Sequence, residues 1–301
     1  MSQLNRRSRC PGPTLGDAVR VGLLGVVPTR PGATPTSTSV AEVEPVYGTV
    51  IQIARLAWRV QGLKITVTGV ENLPRTGGAV VAINHTSYFD FTFAGLPAFE
   101  QGLKRKVRFM AKKEVFDSKV TGPIMRSLRH IPVDRASGAN SFDLACAALK
   151  SGELVGVYPE ATISRSFELK EFKSGAARMA IAADVPIVPH IVWGAHRMWT
   201  KDHPKKMWRP KVPITVAVGE PIEPTLPVQE LTSLLHHRMQ HLLERVQDGY
   251  GPHPQGEHWV PRRLGGGAPT MAEAARLDAE EAAQRAARRA ERQTGQAGKS
   301  E

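Results

Sequence analysis

The stretch NHTSYFD, residues 84–90, places a histidine and an aspartate five positions apart, directly after the apolar run VVAI at 80–83. A histidine takes a proton from a hydroxyl most readily when a carboxylate holds its other ring nitrogen. One turn of helix between His85 and Asp90 would bring the carboxylate to the imidazole. We therefore interpret His85 as a candidate general base and Asp90 as the residue that orients it.

Other polar residues also follow apolar runs. Lys112 follows VRFMA, Arg135 follows HIPVD and Glu160 follows ELVGVYP. Ligands of open α/β sheets bind beyond the carboxyl ends of the strands, so these positions are candidates for substrate binding. Plainer interpretations stand beside these. A lone His and Asp pair is usually structural, an Arg after a strand is usually a surface group, and Glu160 can simply begin a helix.

Short apolar runs alternate with segments of helical length from residue 64 onward. The predicted strands are 64–70, 78–84, 107–111, 130–134, 153–159, 185–194 and 214–219. The predicted helices are 88–98, 113–129, 139–151, 173–184 and 228–247. This alternation predicts an α/β fold: a single domain with a mixed, mostly parallel sheet of about seven strands, flanked by helices.

Two segments precede this domain, for which we predict residues 64–250. Residues 1–45 are rich in Pro, Gly, Ser, Thr and Arg, and we predict a disordered tail. Residues 46–63 predict an amphipathic helix with Arg55 and Arg59 on one strip. Such a helix packs in the core or lies at a membrane interface.

Two further segments follow the domain. Residues 251–269 are predicted to be a Pro/Gly-rich linker. Residues 270–301 are predicted to be a charged helical tail that opens with a capping box from Thr270 to Glu273. Because this tail has few large apolar residues to bury, we expect a solvated helix.

The composition restricts the partners and the compartment. Lys and Arg outnumber Asp and Glu by 40 to 28, which gives a net charge of +12 and favours anionic partners. Two cysteines offer neither a disulfide framework nor metal-ligand spacing, so we expect a reducing, cytoplasmic setting. The short apolar run 21–27 is interrupted by glycines and does not predict a signal peptide, and no run reaches the ~18 residues of a spanning helix.

Taken in order, the polar clusters read NHTSYFD, MAKKEVF with IPVDR, YPEATIS and VPIVPH. This series resembles the four ordered blocks of the glycerolipid acyltransferase family, typified by the 1-acylglycerol-3-phosphate acyltransferases, over about residues 50 to 220. The resemblance implies transfer of a fatty acyl group from acyl-CoA or acyl carrier protein to a lipid hydroxyl in phospholipid biosynthesis. The simplest acceptor is the sn-2 position of 1-acylglycerol-3-phosphate. No cofactor or metal is implied.

The same resemblance assigns roles to individual residues. His85 corresponds to the general base of the family and Asp90 to its orienting partner. The residues implied in substrate binding are Asn84, Lys112, Arg135, Glu160, Thr162, Arg165 and Lys173. Backbone N–H groups near 86–88 are our candidates for the oxyanion donors. The implied partners are acyl-CoA, a lysophospholipid and an anionic membrane surface, with the protein peripheral on the cytoplasmic side of the cell membrane.

The third block departs from the family pattern at two positions. Ala161 replaces the usual Gly, at little cost if its φ is negative. Ile163 replaces the Arg to which the family assigns the acceptor phosphate, and Ile cannot bind phosphate. Either Arg165 or Lys173 substitutes for that Arg, or the acceptor is a different lysolipid or alcohol without a phosphomonoester.

Three other features have competing interpretations. The positive charge alone would suit a nucleic-acid-binding protein, although no nucleic-acid-binding motif is present and we expect no nucleic-acid partner. His237 and His241 have the spacing of a zinc helix, although a solvated helix face is the commoner explanation. Tryptophans and methionines lie among lysines at 193–208, in a loop that either faces a membrane or acyl-CoA or is an ordinary exposed connection.

Overall fold

The computed structural model describes residues 19–20, 45–100, 103–134 and 138–297. The predicted disordered tail therefore lies outside the described residues, apart from Val19–Arg20 and Pro45. Arg135 and residues 298–301 also lie outside them.

The strands form one sheet, which contains all seven predicted strands and a two-residue addition at its edge. In chain order they are β1 (Val19–Arg20), β2 (Lys64–Thr68), β3 (Ala79–Ile83), β4 (Val107–Lys112), β5 (Ile131–Val133), β6 (Leu154–Val157), β7 (Ile187–Trp193) and β8 (Pro213–Val218). Their spatial order is β1-β2-β8-β7-β3-β6-β4-β5. The predicted α/β fold with a mostly parallel sheet is confirmed.

Strand direction brings the polar clusters to one edge of the sheet. Strands β7, β3, β6, β4 and β5 are parallel neighbours. Strand β8 pairs antiparallel with β7 and parallel with β2, so these two strands run the opposite way. The carboxyl ends of β3, β4 and β6 therefore lie side by side, and the residues that follow them meet there.

Helices cover both faces of the sheet and extend beyond it. In chain order they are α1 (Pro45–Val60), α2 (Asp90–Ala94), α3 (Leu96–Phe99), α4 (Lys113–Asp117), α5 (Thr121–Ser127), α6 (Gly138–Lys150), α7 (Gly175–Ala183), α8 (Val228–Gly249) and α9 (Met271–Ala297). Every residue of β3 is buried. Its residues alternate between a core under α6, α7 and α8 and a second core under α2 and α3, because successive side chains of a strand point to opposite faces.

Helix α1 packs one side against the domain and exposes the other. Trp58 stacks on Phe93 of α2 with ring centroids 5.0 Å apart. On the outer side, Ile53, Leu56 and Val60 are each more than half exposed. Among the described residues, no helix is both long enough and apolar enough to cross a bilayer.

The C-terminal segments make more contacts than predicted. Within 251–269, Trp259, Val260 and Ala268 are buried, so the stretch predicted as a linker packs on the domain. Arg197 stacks on the ring of Trp259 with 4.0 Å between the guanidinium carbon and the ring centroid. Most of α9 is exposed, as predicted, and carboxylates on its inner side also bind the domain.

Candidate active site

The turn between β3 and α2 brings His85 and Asp90 into contact. The distance from Nδ1 of His85 to Oδ2 of Asp90 is 3.1 Å. Asp90 is the first residue of α2 and is fully buried, whereas the His85 side chain is 20% exposed. The predicted contact is therefore present, with the imidazole open to a ligand from one side.

Asp90 is held by the turn that it closes. Its Oδ2 also accepts hydrogen bonds from the backbone N–H groups of Thr86 and Ser87, both at 2.8 Å. Burial raises the pKa of the Asp90 carboxyl, and the hydrogen bonds from His85 and from these two N–H groups oppose that rise. A carboxylate fixed in this way presents one defined oxygen to Nδ1 of His85.

The opposite ring nitrogen of His85 is available for a substrate. Among the residues that the structure describes, none forms a hydrogen bond with Nε2 of His85. Nδ1 faces the carboxylate, which favours the tautomer that has its proton on Nδ1. Nε2 can then accept a proton from an incoming hydroxyl.

Glu160, in the loop after β6, binds the backbone of the histidine turn. Its Oε1 accepts a hydrogen bond from the N–H of His85 at 2.7 Å, and its Oε2 accepts one from the N–H of Lys170 at 3.1 Å. Burial raises the pKa of Glu160 to about 8, opposed by these two N–H groups and by the charge of Lys170. Glu160 does not begin a helix; it joins the first and third blocks.

Tyr158 forms a wall of the site that the sequence reasoning missed. Its ring stacks on the imidazole of His85 with centroids 4.0 Å apart. Burial, with a smaller contribution from Asp90, raises the pKa of Tyr158 well above its ordinary value, so the phenol stays neutral. The position was visible in the sequence, because Tyr158 stands where the family usually has Phe at the start of the third block.

The predicted oxyanion donors are already bonded within the protein. The N–H groups of Thr86 and Ser87 donate to Asp90, and that of Tyr88 donates to the carbonyl of Trp199 at 3.3 Å. The candidates at 86–88 were therefore wrong, since a donor engaged in this way does not face an incoming carbonyl.

Asn84 is a positioning residue. Its side chain is fully buried, donates to the carbonyl oxygen of Val192 at 3.1 Å and accepts from the N–H of Val192 at 2.7 Å. Both polar atoms are thus used to join the end of β3 to β7. The prediction that Asn84 binds substrate was wrong, because its side chain has no exposed surface and both of its polar atoms face β7.

The remaining predicted ligands occupy different surroundings. Lys112 ends β4 and Lys173 precedes α7, and both side chains are exposed. Thr162 is half-buried, and its Oγ1 accepts a hydrogen bond from Nζ of Lys170 at 2.6 Å. Arg135 lies outside the described residues, so its predicted role stays a prediction.

Arg165 is not free to replace the missing arginine as the structure stands. Its side chain is 7% exposed and forms ion pairs with Asp202, Asp278 and Glu281. These carboxylates are distant in the sequence, so spacing gave no indication of them. Arg165 is thus bound by carboxylates in this structure, and its predicted role in substrate binding stays a prediction.

The two departures in the third block also have structural consequences. Ile163 is only 3% exposed, so it does not line an open headgroup site as the sequence comparison suggested. Ala161 has φ of 60°, in the left-handed region, so the condition under which Ala costs little there is not met. A residue with a Cβ is strained there by about 1 kcal/mol relative to glycine.

Known proteins share this sequence pattern and fold. The sequence model of the acyltransferase family matches residues 64–193. The 1-acyl-sn-glycerol-3-phosphate acyltransferase of Bacillus subtilis is 30% identical over 191 residues, which cover 60% of this chain and 89% of that protein. The enzyme of the same name from Limnanthes douglasii is 32% identical over 170 residues, 54% of this chain and 56% of that protein.

A solved structure has the same fold. The 1-acyl-sn-glycerophosphate acyltransferase of Thermotoga maritima superposes with a TM-score of 0.55 and 20% sequence identity, over 71% of this chain and 86% of that one. The chain belongs to the acyltransferase family and is an O-acyltransferase.

Proposed function

We propose that this enzyme moves a fatty acyl group from the thioester of acyl-CoA or acyl carrier protein to the sn-2 hydroxyl of 1-acylglycerol-3-phosphate, in phospholipid biosynthesis. The observation that carries the proposal is the 3.1 Å contact between His85 Nδ1 and Asp90 Oδ2, with the other imidazole nitrogen unbound by the described residues. The names of the relatives in Bacillus subtilis and Limnanthes douglasii support this choice of acceptor.

The chemistry follows from the orientation of the imidazole. Nε2 of His85 takes the proton of the acceptor hydroxyl as its oxygen attacks the thioester carbonyl. The imidazolium that forms is stabilised by the Asp90 carboxylate. When the tetrahedral intermediate collapses, the carbon–sulfur bond breaks and His85 returns the proton to the leaving thiolate. No acyl-enzyme is needed.

The roles of Tyr158 and Glu160 are to keep this geometry. The ring of Tyr158 limits rotation of the imidazole by stacking on it. Glu160 fixes the backbone of His85 and, at the same time, the loop that carries Lys170. A base held on rigid supports loses less entropy on reaching the reactive geometry.

We propose that the protein works at an anionic membrane surface, as a peripheral protein on the cytoplasmic side. Exposed Ile53, Leu56 and Val60 on α1 supply an apolar strip. Trp208, which is 82% exposed, follows Met207, whose carbonyl accepts a hydrogen bond from Gln61 just beyond α1. Apolar and aromatic side chains of this kind insert at the level of lipid headgroups.

Only part of the tryptophan and methionine loop has such a surface. Trp193 is fully buried in β7 and Met198 is 2% exposed, so neither contacts a membrane. Lys205 lies over the ring of Trp199, with Nζ 3.8 Å from the ring centroid. Within this loop, the membrane interpretation therefore applies to Met207 and Trp208.

The experiment is an acceptor panel with purified protein. Acyl-CoA and acyl carrier protein would each be offered with 1-acylglycerol-3-phosphate, other lysophospholipids and a simple lipid alcohol in liposomes, with free-thiol release and product mass measured. We expect thiol release that depends on an acceptor and is fastest with 1-acylglycerol-3-phosphate. Faster turnover of an acceptor without a phosphomonoester would favour the alternative acceptor that the replacement at Ile163 suggests.

A further inference from the structure

An acidic side of helix α9 lies against a group of three basic residues, Arg165, Lys170 and Lys201, here called the cation cluster. Asp278 contacts all three: its Oδ1 contacts Nη1 of Arg165 and, at 3.1 Å, Nζ of Lys201, and its Oδ2 contacts Nζ of Lys170 at 2.5 Å. Glu281 contacts two, Nη2 of Arg165 at 3.0 Å and Nζ of Lys201 at 2.9 Å. Two carboxylates thus hold three cations from separate parts of the chain.

The cation cluster is built on the two loops that support the histidine turn. Arg165 and Lys170 belong to the loop after β6, in which Glu160 binds the N–H groups of both His85 and Lys170. Lys201 follows Thr200, whose Oγ1 donates to the carbonyl of Thr86 at 2.7 Å. The cations therefore lie on loops that contact the histidine turn rather than on a remote surface.

Helix α9 also lies near the histidine turn. Burial is the main cause of the raised pKa of Tyr88, and the negative charge of Glu281 is the next. Glu281 therefore lies close enough to the turn at 84–90 to act on a side chain within it. Helix α9 therefore contacts the loop after β6 and lies near the turn at 84–90.

Charge, rather than apolar packing, holds α9 in position. Among the described side chains of α9, Ala274 alone is fully buried, at 5% exposure, and most of the others are exposed. The first turn is fixed by a capping box in which Thr270 N–H donates to Glu273 and Glu273 N–H donates to Thr270. A contact made mainly of ion pairs weakens as the salt concentration rises, and another anion can replace the carboxylates in it.

The cation cluster has the charge that a phosphate monoester needs. Within the part of the chain that the structure describes, the three cations form ion pairs with one carboxylate outside α9, Asp202, which binds Nε of Arg165 at 2.5 Å. Glu160 also acts on Lys170, but burial raises its pKa to about 8, so it is largely neutral at pH 7. Without α9 the balance is three minus one, or +2, which matches a phosphate dianion. An arginine fork and two lysine ammonium groups converging on one anion are also the usual donors to phosphate oxygens.

We propose that Arg165, Lys170 and Lys201 bind the phosphate of the lipid acceptor, and that Asp278 and Glu281 occupy this site as an internal anion which the headgroup displaces. The inference rests on the proposed function for the identity of the acceptor. It also accounts for the absence of an arginine at position 163, because the phosphate ligands come from Arg165 and from two lysines in separate loops.

The first test changes the charge of α9 and leaves its length intact. The double variant Asp278→Asn with Glu281→Gln would be compared with wild type and with Glu280→Gln, a matched control on the same helix whose carboxylate pairs with Arg276. KM would be measured for 1-acylglycerol-3-phosphate, for 1-acylglycerol, which lacks the phosphate, and for acyl-CoA. We expect the double variant to lower KM for the phosphate-bearing acceptor alone, by about fivefold or more.

Other kinetic outcomes overturn the inference. A decrease in KM confined to acyl-CoA would mean that the cations bind the phosphates of CoA. An unchanged or increased KM for 1-acylglycerol-3-phosphate in the double variant would mean that α9 serves only as structural support. The matched control Glu280→Gln should behave as wild type in either case.

A second test needs no turnover. Trypsin cleavage of the wild-type chain after Arg285 or Arg288 would be timed with and without 1-acylglycerol-3-phosphate, using 1-acylglycerol as the control. Displacement of α9 predicts faster cleavage with the phosphate-bearing lipid only; equal rates with both lipids would refute it. If no acceptor is acylated, the proposed function fails, whereas this cleavage result still decides whether a phosphate displaces the helix.

Discussion

The turn at 84–90 and the loop at 158–173 both form the candidate site, but they are stabilised in different ways. The turn is closed by residues within it, because Asp90 binds His85 and the N–H groups of Thr86 and Ser87. The loop is held by residues far along the chain, with Arg165 bound to Asp202 and to α9. Hydrogen bonds within the turn keep His85 and Asp90 together. Ion pairs with residues far along the chain decide which side chains of the loop can bind a ligand.

The difference has a chemical reason. A general base and its orienting carboxylate must stay within hydrogen-bond distance, which a turn of six residues ensures on its own. Recognition of a headgroup needs several charges that converge from different elements, and such charges repel each other unless an anion lies between them. In this structure the anion is supplied by α9.

The largest effect that we expect distinguishes the turn from the rest of the site. His85→Ala should lower kcat by about 10² to 10⁴-fold, because the acceptor hydroxyl loses its base. Folding should be preserved, since the side chain is partly exposed and packs mainly on Tyr158. Free-thiol release and thermal unfolding would be measured, with His237→Ala on the exposed side of α8 as the control. Wild-type turnover in His85→Ala would refute the assignment.

The next prediction concerns Glu160, which joins the two regions. The unfolded chain releases this proton near pH 4.3, whereas the folded chain holds it to about pH 8. Glu160 therefore keeps its proton in the folded state between these values, and its contribution to the free energy of unfolding should fall as pH rises through this window, by up to about 1.4 kcal/mol per pH unit. Buried His190 and His196, whose pKa values are lowered to about 4 and about 3, contribute the opposite slope below about pH 6.5. Denaturant unfolding at several pH values would measure the slope.

Glu160→Gln isolates this contribution. The amide cannot ionise, so the part of the slope due to Glu160 should disappear. The free energy of unfolding at low pH should fall by about 1 to 3 kcal/mol. Each carboxyl oxygen of Glu160 accepts a backbone N–H, whereas the NH₂ group of Gln is itself a donor and leaves one of these N–H groups without an acceptor. The ion-paired Asp278 and Glu281 have lowered pKa values and titrate below this window. A slope unchanged in Glu160→Gln would assign the titration to another group.

The smallest predicted effect tests the backbone of the loop. Ala161→Gly should raise the free energy of unfolding by about 0.5 kcal/mol, because relief of the left-handed strain slightly exceeds the entropy that glycine adds to the unfolded chain. Ala147→Gly, at an exposed position in α6, is the matched control and should lower stability by about 1 kcal/mol. Equal decreases at the two positions would contradict the strain at Ala161.

The amino-acid sequence by itself determined the fold class, the seven main strands and the contact between His85 and Asp90. These features depend on short-range patterns: apolar runs that bury as strands, helical segments between them, and a pair of residues separated by one turn. Sequence spacing also indicated the capping box at Thr270 and Glu273, which the structure contains.

Only the tertiary structure decided which polar side chains remain available to a substrate. The side chain of Asn84 is hydrogen-bonded to β7, and Ile163 is buried. Arg165 is bound by carboxylates that lie 37 to 116 residues away in the sequence. The sequence distinguishes a ligand-binding cation from an ion-paired one only if the partner is nearby in the chain. The partners of Arg165 are Asp202 and two carboxylates of α9. Tertiary packing therefore decides which side chains of this loop are exposed, and no local sequence pattern specifies that packing.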